Sequence, residues 1–105
     1  MKSQKSSGKP KKRKLLFVRR VIGKSMTPTL KPERLVLATG YFRSLAPEQI
    51  VVIHHQGLDK IKRIQKIQAG RIFVIGDNPR ASLDSRSFGW LPFDMVVGRV
   101  IWPRH

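Results

Sequence analysis

The chain contains no cysteine, which excludes a disulfide scaffold, thiol catalysis and every thiolate metal site, so that stability has to come from packing alone. Acidic residues are scarce. Six stand against 22 lysines and arginines, a formal net charge of +16, and their positions show no paired spacing of the kind that glycosidase or carboxylate metal sites need. Histidine is limited to His54, His55 and His105, and no metal constellation reaches three ligands at sensible spacing. Long apolar runs are missing as well. Runs such as Leu15-Leu16-Phe17-Val18 fall far short of the ~18 residues of a membrane span and of the ~7–15-residue apolar region of a secretory signal peptide. No integral membrane segment is expected, and the expected location is cytoplasmic.

What is present is one small domain behind a basic leader. Of 105 residues, the first 20 hold nine of the cations and no acid. Residues 1–14, MKSQKSSGKPKKRK, combine lysine, serine, glycine and proline without an aliphatic residue after Met1, and are read as a disordered basic tail. The Pro10–Lys14 run resembles a nuclear-localisation pattern and could also give weak attraction to an anionic surface, while a solvated tail needs no function at all. Residues 15–105 form the expected folded unit. Short apolar pieces at 15–22, 34–39, 50–54, 72–75 and 95–101 are separated by turn pairs such as Gln56-Gly57, Ala69-Gly70 and Asp77-Asn78-Pro79, which makes the class mostly β. Residues 58–68 are ambiguous. Their isoleucines at 61, 64 and 67 recur every three residues, closer to a helical face than to strand alternation.

Two segments have a composition that periodicity does not account for. Gly23-Lys24-Ser25-Met26-Thr27-Pro28-Thr29-Leu30 places a serine on a proline-fixed bend, and Gly76–Gly89 is dense in small polar groups between two strands. Taken singly, each reads as an ordinary polar loop. Together with Lys62-Arg63 they resemble the signal-peptidase-like serine proteases, whose Ser-Lys dyad is carried by boxes of the form S-M-x-P-T-L, K-R and G-D-N-x-x-x-S-x-D-S-R-x-x-G. All three boxes occur here in order, and the resemblance runs from about residue 17 to residue 103.

The resemblance implies a small signal-peptidase-like β fold and an endopeptidase without a cofactor. It makes Ser25 the nucleophile and Lys62 the base, because a serine hydroxyl needs a proton acceptor and a neutral amine can act where histidine does not. Burial by Ile61 and Ile64, with Arg63 as a cationic neighbour, would lower the lysine from its usual ~10.4. By the same resemblance Ser82 orients the base, Asp77 and Asn78 shape the loop beneath the site, Asp84 and Arg86 form an ion pair, and the Ser25 backbone N–H serves the oxyanion.

There are departures from the family pattern. Gly23 stands where some signal peptidases carry a hydroxyl donor, and Glu33-Arg34 and Glu48-Gln49 replace the usual Gly-Asp pairs before the second and third strands. Only ten residues lie between Ile67 and Asn78, so no large second domain is inserted there. The minimal core and the wording of the third box are similar to the nickel-type superoxide dismutase maturation proteases, which implies removal of an N-terminal propeptide from that precursor as the partner protein. Processing of exported preproteins is the alternative within the family. A small basic nucleic-acid binder is the alternative from another class, disfavoured because the aromatic residues are scattered rather than interleaved with the cations.

Overall fold

A computed structural model of the chain describes residues 14–104. The expected tail therefore lies outside the described residues except for Lys14, whose carbonyl accepts a hydrogen bond from Gly40 N–H at 2.8 Å. Seven strands form a single antiparallel sheet: β1 (Phe17–Arg20), β2 (Leu35–Thr39), β3 (Ile50–His55), β4 (Leu58–Gln68), β5 (Arg71–Ile75), β6 (Leu91–Pro92) and β7 (Val96–Trp102). Their order across the sheet is β1-β2-β7-β3-β4-β5-β6. The mostly-β class is what the sequence pattern implies.

The strands follow from where apolar side chains can go. Ile50-Val51-Val52-Ile53 is wholly buried because β3 is covered on both faces. Ile50 and Val52 join one core with Phe17, Val21, Met26 and Leu30, while Val51 and Ile53 join a second core with Ile64, Ile72 and Val74. A strand buried on both faces reads as a continuous apolar run rather than an alternation. The hairpins β3–β4 and β4–β5 close through Gln56-Gly57 and Ala69-Gly70, with all four residues at positive φ, the conformation of tight two-residue hairpin turns.

Residues 58–68 are strand throughout, and the three-residue spacing of isoleucine has a simple cause. Ile61 packs against the first core, whereas Ile64 and Ile67 face the second. The β4–β5 register shifts between Ile64 and Lys66, so one extra residue, Gln65, returns Ile67 to the face of Ile64. A bulge turned alternation into an apparent period of three.

Two elements were not foreseen. The short helix α1 (Ser85–Phe88) is capped by Asp84, whose side chain accepts from Arg86 N–H, and β6 adds two residues to the sheet edge. Glu33 and Glu48, which replace the expected glycines, keep positive φ of 72° and 80°. Both loops thus hold a side-chain-bearing residue in the left-handed region that glycine favours.

Candidate active site

Ser25 lies in the turn segment between β1 and β2, and that segment is pinned by its buried neighbours. Val21, Met26 and Leu30 are each at most 2% exposed, Leu30 N–H donates to Met26 O at 2.8 Å, and Thr27 N–H donates to Lys24 O at 3.1 Å. Anchoring Met26 in the core fixes the peptide next to it, so Ser25 is held half-buried at the edge of a cleft. The cleft has a volume of ≈ 280 Å³, with Ile22 and Ser25 on one side and Leu58, Asp59, Lys60 and Lys62 of β4 on the other.

The three boxes are bound to one another by backbone and side-chain hydrogen bonds. Asn78 N–H donates to Ser25 O at 2.8 Å, Asn78 Nδ2 donates to Thr27 Oγ1 at 3.0 Å, and Thr29 Oγ1 donates to Asp77 Oδ2 at 2.5 Å. Asp77 in turn accepts two parallel bonds from Arg63, Nε to Oδ1 and Nη2 to Oδ2, both 2.8 Å. This bidentate geometry is the strong form of an arginine–carboxylate pair. Gly76 is the point of closest approach. A Cβ there would stand 2.6 Å from Ser25 O and collide with the Ser82 side chain, so only glycine lets the third box lie against the first.

Lys62 is 5% exposed, a placement that lysine tolerates only when its head group is bonded or its charge suppressed. Its Nζ donates to Ser82 Oγ at 3.2 Å, and Ser82 Oγ donates onward to Asp84 Oδ2 at 2.6 Å. Burial pulls the Lys62 ammonium below the usual lysine range. The Asp84 carboxylate opposes that shift, and the cations Lys60 and Arg86 add to it. Arg63 does not play the part expected of it, because its guanidinium is turned to Asp77 and to Glu48 O.

Asp84 is 1% exposed and accepts from Ser82 Oγ, Gly76 N–H, Arg86 N–H and the Arg86 guanidinium. Burial alone would raise its pKa, but the Arg86 pair and the other three donors outweigh burial and hold it well below the ordinary carboxylate range. It is therefore a fixed negative charge behind the lysine.

The geometry thus brings Ser25 and Lys62 to one cleft and ranks Ser82, Asp84 and Arg86 behind the lysine, with Asp77 and Asn78 tying the loops together. The Ser25 N–H and hydroxyl have no hydrogen-bond partner among the described residues. Sequence reasoning missed Thr27 and Thr29 as ties between the boxes and Asp59 and Lys60 as parts of the cleft. The threonines carried a signal, since both lie inside the first box. His54 and His55 sit at the end of β3, paired with Asp59 at 2.9 Å and with Lys60 at 3.2 Å respectively. Among the described residues there is no cluster of three or more metal-ligating side chains, and no helix is long and apolar enough to cross a membrane.

Residues 54–104 match the family described as signal peptidase, peptidase S26. Just under half of the chain is thus similar to signal peptidases. The match takes in Lys62-Arg63 and the whole third box, while Ser25 precedes its first residue. Two curated relatives agree. Signal peptidase I of Bacillus caldolyticus is 39% identical over 49 residues, covering 44% of this chain and 27% of that protein. The mitochondrial ATP-independent inner membrane protease subunit 1b of Arabidopsis thaliana is 44% identical over 36 residues, covering 34% of this chain and 21% of that protein. Each alignment therefore spans about a quarter of the relative's length. In this chain β4 runs into β5 through Ala69-Gly70, with no inserted domain between the second box and the third.

Proposed function

We propose that the chain is a serine endopeptidase in which Ser25 is the nucleophile and Lys62 the general base. The observation that carries this reading is the state of Lys62: buried, bonded through Ser82 to a fixed carboxylate, and lining the cleft that Ser25 borders. In the amine form, Lys62 Nζ takes the Ser25 hydroxyl proton as Oγ attacks the scissile carbonyl carbon. The carbonyl oxygen becomes an oxyanion, which the Ser25 backbone N–H is available to stabilise. Collapse of the tetrahedral intermediate breaks the C–N bond, and the leaving amine takes the proton from Lys62. Water then gives a proton to Lys62 and attacks the acyl ester, and the proton returns to Ser25 Oγ as the acid product leaves.

The substrate in this reading is a precursor protein that loses an N-terminal propeptide, with the nickel-type superoxide dismutase precursor as the specific candidate. Support comes from the wording of the third box, Gly76-Asp77-Asn78-Pro79 followed by Ser82, Asp84-Ser85-Arg86 and Phe88-Gly89, and from the direct β4–β5 hairpin. Similarity to signal peptidase I supports a second reading, processing of exported preproteins. Incubating the full chain with each precursor and reading the new N-terminus by mass spectrometry separates the two. Cleavage must disappear in Ser25→Ala with an unchanged circular dichroism spectrum, and cleavage that persists in that variant overturns the dyad.

A further inference from the structure

The acidic residues around the cleft are already paired. Asp59, on its wall, accepts from Arg19 Nε at 2.8 Å and contacts His54 Nδ1 at 2.9 Å. Asp77 is held by Arg63 and Asp84 by Arg86, and Arg20, the cation on the opposite side, lies 3.6 Å from Glu33. Lys60 is different. It lines the cleft two residues before Lys62 on the same face of β4, and it has no carboxylate within ion-pair distance among the described residues.

Its position is nevertheless defined. Nζ lies 3.2 Å from His55 Nδ1 and 5.4 Å from the centre of the Phe88 ring, and His55 itself stacks on Phe88 with ring centres 4.3 Å apart. Burial, together with the Lys60 charge, pushes the imidazole below its ordinary range. A neutral imidazole can accept a hydrogen bond from the ammonium, so His55 and Phe88 hold the cation in place without neutralising it. A half-buried lysine on the cleft wall, whose charge is felt by Lys62 and which has no carboxylate within ion-pair distance among the described residues, is a recognition group for a carboxylate.

We propose that Lys60 is a specificity-determining residue of the cleft and pairs with an aspartate or glutamate side chain of the bound polypeptide near its scissile bond. The identity of the bound chain rests on the peptidase reading; the charge preference rests on the cleft alone. The substrate class is then a precursor with an acidic residue close to the cleavage site. A basic segment at that position is repelled.

The test uses fluorogenic octapeptide libraries in which one position at a time is fixed as Asp, Asn or Lys and the others are mixed. With the full chain, the Asp sets at one position should be cleaved with a kcat/KM about fivefold above the Asn sets, the size of a partly exposed ion pair. Lys60→Gln should erase that preference, Lys60→Arg should keep it, and Lys60→Glu should transfer it to the Lys sets. Equal cleavage of Asp and Asn sets by the unmodified chain, or a preference that persists in Lys60→Gln, overturns the proposal. If no set is cleaved, the peptidase reading fails by itself. Fluorescence anisotropy of the same sets on the Ser25→Ala protein then decides the Lys60 question, since binding must still favour Asp over Asn and lose that bias in the Ser25→Ala/Lys60→Gln protein.

Discussion

Lys62 Nζ donates to Ser82 Oγ across 3.2 Å, and the same hydroxyl donates to Asp84 at 2.6 Å. One serine thus joins a buried lysine to a buried carboxylate without direct contact between the two charges. A direct pair would fix the lysine in its charged form. An interposed hydroxyl fixes where the nitrogen sits and leaves the proton exchangeable.

Ser82→Ala is therefore expected to impair turnover without abolishing it. The substitution removes the acceptor that positions Lys62, while Asp84 keeps Gly76 N–H and Arg86. Removing the base itself would forfeit the ~10²–10⁴-fold contribution of general base catalysis, and loss of a positioning bond should cost less, roughly tenfold. The drop should appear in kcat with KM little changed, and Ser82→Thr should recover most of it. Steady-state kinetics on the three proteins checks this; a loss as deep as that of Ser25→Ala would give Ser82 a primary role.

Asp84 makes the stability of the fold depend on pH at the acid end. Its folded-state pKa is depressed, so its contribution to stability is fully present above the unfolded value near ~3.9 and is lost as pH falls through the folded value. Asp84→Asn should lower stability at pH 7 by about 2 kcal/mol, below the ~3–5 kcal/mol of a fully buried broken pair because Arg86 is 44% exposed. The difference between the two proteins should shrink as pH drops below ~4. Urea melts at pH 7 and at pH 3 test both parts, and an equal difference at the two pH values would contradict the assignment.

Much of this site was legible because each box is contiguous in sequence, and a contiguous motif carries its own loop. Ser25, Lys62 and the Gly76–Gly89 segment could be singled out without knowing where they meet. What could not be read are the long-range relations. Arg63 and Asp77 are 14 residues apart, and nothing local says that the guanidinium turns to that carboxylate rather than toward Lys62. The β4 bulge hid a strand behind a helical spacing, and α1, with four residues, is too short to leave a periodic signal. Glu33 and Glu48 show the opposite case. Their side chains argued against the loop, yet the backbone keeps its left-handed turn.

That retention has a measurable consequence. Glu48 sits at φ 80°, a region that costs a side-chain-bearing residue about 1 kcal/mol or more and glycine very little. The backbone is committed there by two bonds: Glu48 N–H donates to Ile64 O at 2.8 Å, and Glu48 O accepts from Arg63 Nη1 at 2.7 Å. Glu48→Gly keeps both and should stabilise the protein by about 0.5–1 kcal/mol after the entropy of the unfolded glycine is charged against it. For a domain of this size that raises Tm by roughly 2–8 °C. A lower Tm in a thermal melt would mean that the Glu48 side chain contributes more than the strain costs.

The pH dependence of cleavage distinguishes lysine from histidine as the base. With Lys62 as the proposed base, cleavage needs its amine form, so the rate should rise toward alkaline pH with a midpoint below the ~10.4 of free lysine, since burial is the leading cause of its shift and Lys60 and Arg86 reinforce it. The same shift makes stability rise with pH between the folded and unfolded values, because the unfolded chain binds more protons there. Lys62→Met should accordingly abolish cleavage while stabilising the fold at pH 7 by about 0.5–2 kcal/mol, the usual size of such trade-offs at active sites. The competing arrangement is concrete: His54 contacts Asp59 at 2.9 Å, and Asp59 lines the cleft that Ser25 borders. A histidine base would titrate near ~6.5. Rate profiles of the unmodified protein and of the His54→Gln/His55→Gln double variant should therefore keep the same form, with the alkaline limb in place. An acidic-side limb that vanishes in the double variant would move the base from Lys62 to a histidine.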